Sequence, residues 1–224
     1  MTPIRLIRVI NPNSTQAITD RMAEALIPYA KRSGMKIDCV TLKDGPPGVA
    51  SDADIDTVAP LVAQAVAQDQ EADVFVIACY SDPGLMEARE QTSRPVIGIG
   101  EAAVTTALAL GDRFGIISVS DWSVSRHATD MKARGLFERC AGDRPIGFSV
   151  METESADAFE TIAQVGRSLC NTDGANVLIT ACAGMSRHLP MLEAATQTTV
   201  VDPVRAATAM AIGMLTGQRD VHND

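Results

Sequence analysis

Two cysteines stand at matching ends of apolar runs, and thiols so placed can move protons. In Ile77-Ala78-Cys79-Tyr80-Ser81-Asp82-Pro83-Gly84-Leu85, the run Val74 to Ala78 delivers Cys79 into a turn of Ser, Asp, Pro and Gly. In Ile179-Thr180-Ala181-Cys182-Ala183-Gly184-Met185, the run Asn176 to Ala181 does the same for Cys182. Such runs read as strands buried on both faces. Ligands of open α/β sheets bind at the carboxyl ends of strands. Asp82-Pro83 reads as a helix start, with Asp as N-cap and Pro at the first helical position, and a helix amino terminus favours thiolate over thiol. A free thiol with a pKa of about 8.5 is already a few per cent thiolate near pH 7. One thiolate and one thiol on opposite sides of a carbon can remove a proton from one face and return one to the other, inverting a stereocentre without a cofactor. Backbone N–H groups after Ser81 and Gly184, with the Asn13 amide, are the donors that an enolate would need.

A lone cysteine at a strand end is more often a small buried hydrophobe, and repetition is what sets these two apart. Each cysteine segment continues through a Gly-containing turn, a short helix, a short strand (Val96 to Ile99; Thr199 to Val201) and an Ala-Ala helix. Cys79 precedes Ala102 by 23 residues and Cys182 precedes Ala206 by 24. The strand Ile4 to Ile10 with its turn Asn11-Pro12-Asn13-Ser14-Thr15 has a counterpart in Phe114 to Val119 with Ser118, Ser120 and Asp121. Two similar halves follow.

The elements around these segments alternate strand and helix, which means parallel sheets. Strands are expected at Ile4 to Ile10, Met35 to Leu42, Val74 to Ala78, Val96 to Ile99, Phe114 to Val119, Ile146 to Val150, Asn176 to Ala181 and Thr199 to Val201. Helices are expected between them, among them Ile55 to Ala67, Val124 to Arg134, Ala156 to Leu169, His188 to Ala195 and a closing Val204 to Leu215. The fold class expected is α/β: two pseudosymmetric three-layer α/β/α domains with mainly parallel sheets, and, if the halves face each other, the active site in the cleft between them. Their expected extents are residues 1–98 plus 204–224 for the first and 99–203 for the second.

Composition removes several functions. At 224 residues with 46% hydrophobic content, the chain can bury a sizeable core. A net charge of −9 and the absence of any basic block argue against nucleic acid and membrane surfaces as partners. The amino-terminal apolar run is too short for a signal peptide or a spanning helix, which predicts a cytoplasmic protein. The five cysteines are odd in number and never paired as CxxC, and the three histidines (His127, His188, His222) lie apart from them. Neither a disulfide framework nor a metal site is expected. Cys39, Cys140 and Cys170 read as structural or surface thiols, His188 as a solvated helix residue, and Glu101 and Asp202 as complements to helix dipoles.

The chain resembles the aspartate/glutamate racemase superfamily in its hydantoin racemase branch, which includes allantoin racemases. The resemblance runs along nearly the full chain. It is carried by Val9 to Ser14, Gly45-Pro46, Ala78 to Leu85, Pro95 to Ile99 with Glu101-Ala102-Ala103, Cys182 to Met185 and Asp202-Pro203-Val204. It implies a cofactor-independent racemase of 5-substituted hydantoins in which Cys79 and Cys182 are the paired acid and base. Asn13, Ser14, Ser81 and Ser118 would hold the ligand's carbonyls, with Tyr80 and the backbone at Ala183 and Gly184 beside the thiols. A homo-oligomer acting on a small molecule is implied as well. Tyr80 stands where the branch often has Phe, Ser118 where Thr is common, and Pro47 to Ser51 where the loop usually reads Ile-Glu; these departures bear on the substrate. Alternatives are a maleate-like cis/trans isomerase, an arylmalonate-type decarboxylase, or a noncatalytic small-molecule binder.

Overall fold

Four strands in each half form a parallel sheet, as the alternation of elements requires. The computed structural model describes residues 4–217; His222 lies outside them. The first half runs β1 (Leu6–Asn11), α1 (Gln16–Ser33), β2 (Lys36–Thr41), α2 (Asp52–Gln68), β3 (Val74–Ile77), α3 (Leu85–Glu90), β4 (Val96–Gly98) and α4 (Ile99–Leu110). The second runs β5 (Phe114–Ser118), α5 (Asp121–Ala133), β6 (Cys140–Pro145), α6 (Phe159–Asn171), β7 (Val177–Thr180), α7 (Leu189–Thr196) and β8 (Thr199–Val201), before α8 (Pro203–Gly217). The sheet orders are β2-β1-β3-β4 and β6-β5-β7-β8, parallel throughout. The second order repeats the first with every number raised by four, so the internal repeat is structural.

The chain parts into two compact units, one drawn from Met1–Ala102 and Val204–Asp224, the other Ala103–Pro203. In the first, Ile10, Phe75 and Ile77 on one sheet face pack with Val62 and Val66 of α2 and Leu85 and Ala88 of α3. Strand alternation turns Ile7, Val9, Val74 and Val76, all fully buried, to the other face. In the second unit, Ile117, Leu178 and Val200 pack with Ile162, Ala163 and Leu169 of α6 and Leu189 and Leu192 of α7. Among the described residues, no helix is long and apolar enough to cross a membrane.

Three expected elements lie elsewhere. The strand expected at Ile146 to Val150 is β6, at Cys140–Pro145. It is an edge strand paired only with β5, every residue of it half-buried, so it carries no apolar alternation to read. Ile99 begins α4 rather than ending β4. His188 closes a 3-10 turn over Ala183–His188, and α7 begins after it.

Truncation separates core from surface. Leu169→Ala, fully buried against β7, is expected to lower unfolding free energy in urea by about 2–5 kcal/mol. Leu110→Ala, at a side chain 56% exposed, should change it by less than about 0.5 kcal/mol. Equal losses at the two positions would contradict this packing.

Candidate active site

Adjacent strand ends assemble a half-site in each unit. β1 and β3 pair with Ile10 opposite Ile77, so the Asn11–Thr15 turn and the Cys79 turn leave the first sheet side by side. The Ala78 N–H donates to the Ile10 carbonyl at 2.8 Å, immediately before the half-buried Cys79. In the second unit Ile117 stands opposite Thr180, and the Ala181 N–H donates to the Ile117 carbonyl at 2.9 Å, immediately before Cys182, which is 8% exposed. Each cysteine thus follows the same backbone hydrogen bond in the same place of its sheet.

Asn13 is oriented by its neighbours. Its Oδ1 accepts from the Thr15 N–H at 3.0 Å and from Asn11 Nδ2 at 3.1 Å, while Asn11, fully buried, also donates to Thr19 Oγ1 at 3.0 Å. The Thr15 N–H can only donate, so it fixes which end of the Asn13 amide is oxygen. Nδ2 is then the end that can donate to a ligand carbonyl. The Gly45 loop closes over this turn: the Ser14 N–H donates to the Pro46 carbonyl at 2.9 Å and the Thr15 hydroxyl to the Pro47 carbonyl at 2.7 Å. Gly45 is required there, because a Cβ would collide with the Pro12 carbonyl oxygen.

The Cys79 turn is held differently from the expectation. Asp82 does not cap α3, which starts at Leu85 behind a left-handed Gly84. Instead Asp82 sits at φ +47, a region Asp tolerates, and its carboxylate accepts from the Gly100 N–H at 2.9 Å and the Glu101 N–H at 2.8 Å. It caps α4, eighteen and nineteen residues on. The Asp82 N–H donates to the Cys79 carbonyl at 2.9 Å, so the turn bearing the thiol is tied to the first turn of α4. Tyr80 is buried and Ser81 half-buried in the same turn.

In the second half-site Cys182 directly precedes the 3-10 turn, with Ala183 half-buried and Gly184 buried. Its Sγ lies 3.7 Å from the hydroxyl of fully buried Thr153. His188 is not solvated: it is 2% exposed, and its Nε2 donates to the Thr153 carbonyl at 3.1 Å, with Phe159 6.0 Å away between ring centres. A carbonyl only accepts, so Nε2 carries the proton. Burial, aided by Arg187, pushes His188 below its ordinary value of 6.5 against the opposing Thr153 hydrogen bond, so the ring is held neutral.

Ser118 is fully buried and committed within the protein. Its hydroxyl donates to Asp143 Oδ1 at 2.5 Å, and His127 Nδ1 donates to Asp143 Oδ2 at 2.9 Å, 3.2 Å from the Ser118 oxygen. The serine proton goes to aspartate, not histidine, so this is no nucleophilic triad. It is a clamp joining the end of β5 to α5 and β6. Thr153, Asp143 and the capping role of Asp82 went unread in the sequence, where Thr153 and Asp143 carry no local signal and Asp82 signals a cap of the wrong helix.

Cys39 and Cys140 are pushed up to about 12, each chiefly by burial with a neighbouring carboxylate, Asp38 or Asp143, adding to it. Both remain thiols near neutral pH. Among the described residues no three His, Cys, Asp or Glu side chains converge to hold a metal ion.

Residues 7–211 match the family Asp/Glu/Hydantoin racemase. The hydantoin racemase of Pseudomonas sp. (strain NS671) is 34% identical over 209 residues, covering 92% of this chain and 84% of that protein. The hydantoin racemase of Rhizobium meliloti is 32% identical over 213 residues, covering 93% and 88%. The crystal structure of allantoin racemase from Pseudomonas fluorescens superposes with a TM-score of 0.87 at 30% identity, covering 94% of this chain and 91% of that one.

A neutral buried His188 makes stability depend on pH. Its folded pKa is lowered, so its contribution is complete above the unfolded value near 6.5 and is lost as pH falls below it toward the folded value. His188→Gln, which can keep a donor for the Thr153 carbonyl, is expected to flatten the decline of the urea midpoint between about pH 7 and pH 5. An identical decline in both proteins would contradict a buried neutral ring.

Proposed function

Because the chain belongs to the Asp/Glu/Hydantoin racemase family, we propose that it racemises 5-substituted hydantoins, allantoin among them, using Cys79 and Cys182 as the two proton carriers. The observation that carries this reading is the equivalence of the two cysteines: each follows the same interstrand hydrogen bond at the carboxyl end of the third strand of its sheet. The mechanism requires both thiols to reach one carbon from opposite faces. A thiolate removes the C5 proton, the electron pair moves into the adjacent carbonyl, and the other thiol protonates the opposite face. Asn13 Nδ2, the Ser14 and Ser81 hydroxyls, and the backbone at Ala183 and Gly184 are the proposed contacts for the carbonyls, with Tyr80 beside the C5 substituent.

The charge of these contacts favours the substrate class. Asn, Ser, Tyr, Ala and Gly are all neutral, which suits a cyclic amide and not a dianion, whose burial requires cationic partners. In family and composition the reading is also that of a cytoplasmic homo-oligomer.

Cys79→Ser and Cys182→Ser are each expected to lower racemisation of a 5-substituted hydantoin by at least about a hundredfold, followed by polarimetry. Amino acids and maleate-like or malonate-like diacids should be turned over far more slowly by the wild-type protein. Full activity in both serine variants would overturn the mechanism, and preference for a diacid would overturn the substrate class.

A further inference from the structure

The polarity of the hydrogen bonds around Cys182 bears on where its proton rests, a question that builds on the two-thiol reading above. The Thr153 hydroxyl donates to the Val150 carbonyl at 2.6 Å. A hydroxyl has one proton and two acceptor lone pairs. With that proton engaged, Thr153 Oγ1 meets Cys182 Sγ, 3.7 Å away, only as an acceptor. An S–H completes the contact, whereas a thiolate would face a lone pair. We infer that Thr153 is a positioning residue that holds Cys182 as the thiol in the resting protein, so that Cys182 begins the cycle as the acid and Cys79 as the base.

The surroundings hold Thr153 in that orientation. The Ser149 N–H donates to Glu152 Oε2 at 2.7 Å and the Thr153 N–H to the Ser149 carbonyl at 3.3 Å, closing the turn that carries Thr153. His188 pins the Thr153 carbonyl from the other side as a neutral ring, and so adds no positive charge that would favour a thiolate. Arg187 and Glu152, charged side chains on the same two segments, are exposed. Cys182 itself belongs to the apolar cluster of the second unit with Ile146, Ala158 and Met185.

The proton balance follows. The Cys79 thiolate takes the C5 proton and becomes S–H while the electron pair enters the enolate. Cys182 S–H gives its proton to the opposite face and becomes thiolate. The resting arrangement returns when Cys79 loses a proton to solvent and Cys182 gains one. The enantiomer that presents its C5 proton to Cys79 is then the one the resting protein can process directly.

The test compares Thr153→Val and Thr153→Ser with their parent in a Cys79→Ser background at pH 7. Two quantities are read: the ultraviolet absorbance of the thiolate, and alkylation of Cys182 by iodoacetamide, resolved by peptide mass. Thr153→Val is expected to raise both the thiolate signal and the alkylation rate about three- to tenfold, and Thr153→Ser to restore the parent values. Should the valine variant fail to fold, Thr153→Ala removes the same hydroxyl and is read in the same way. An unchanged or lower thiolate signal in a folded variant overturns the assignment, as does faster alkylation without more thiolate, which would mark mere loosening. Neither measurement uses a substrate. Loss of the racemase reading would therefore appear as inactivity on hydantoins with these results intact. Loss of this inference alone would appear as an unchanged thiolate signal in a protein whose racemisation still needs both cysteines.

Discussion

In a parallel sheet every strand ends at the same edge, and that constraint governs what each half of this protein can do. Strands buried on both faces must spend their side chains on packing, as Phe75, Ile77, Ile117 and Ile179 do at complete burial. Polar and reactive residues are left to the turns where the strands stop. Register then decides which turns are neighbours: Ile10 beside Ile77 brings the Asn13 turn next to the Cys79 turn, and Ile117 beside Thr180 brings Ser118 next to Cys182. Which turns become neighbours follows from strand order and register.

Near each cysteine, several polar side chains are already committed to partners within the protein. Asn13 spends its oxygen on Thr15 and Asn11, Asp82 spends both carboxylate oxygens on the start of α4, Ser118 spends its proton on Asp143, and Thr153 spends its proton on Val150. Commitment of this kind sets polarity. It leaves Asn13 as a donor and Thr153 as an acceptor, and it removes the freedom of a hydroxyl to serve either role. Groups preorganised in this way would need no reorientation in the proposed reaction when charge develops on the enolate.

Much of this was legible in the sequence, for physical reasons. The two cysteine segments could be paired because each joins a buried run to a Gly-containing turn, and both features are local. The parallel sheets could be expected because strands alternating with helices demand parallel pairing, whereas the order of the strands within each sheet is seen only in the structure. What escaped was nonlocal or lacked a pattern. β6 is an edge strand without alternation, Asp82 caps a helix that begins seventeen residues later, and Thr153 meets Cys182 across 29 residues. His188 reads as a surface residue by composition, but in the structure it is buried, donates to the Thr153 carbonyl and lies beside Phe159.

In the proposed reaction, protons enter and leave a single carbon on opposite faces through two different thiols. The most direct measurement is racemisation of one pure hydantoin enantiomer in heavy water, stopped early and separated by chirality before mass analysis. Two thiols acting on opposite faces would place deuterium at C5 of the newly formed enantiomer and none in the remaining starting enantiomer. Product that retains its original hydrogen, or deuterium entering both enantiomers equally from the outset, would mean that one base serves both faces and would contradict the two-thiol reaction.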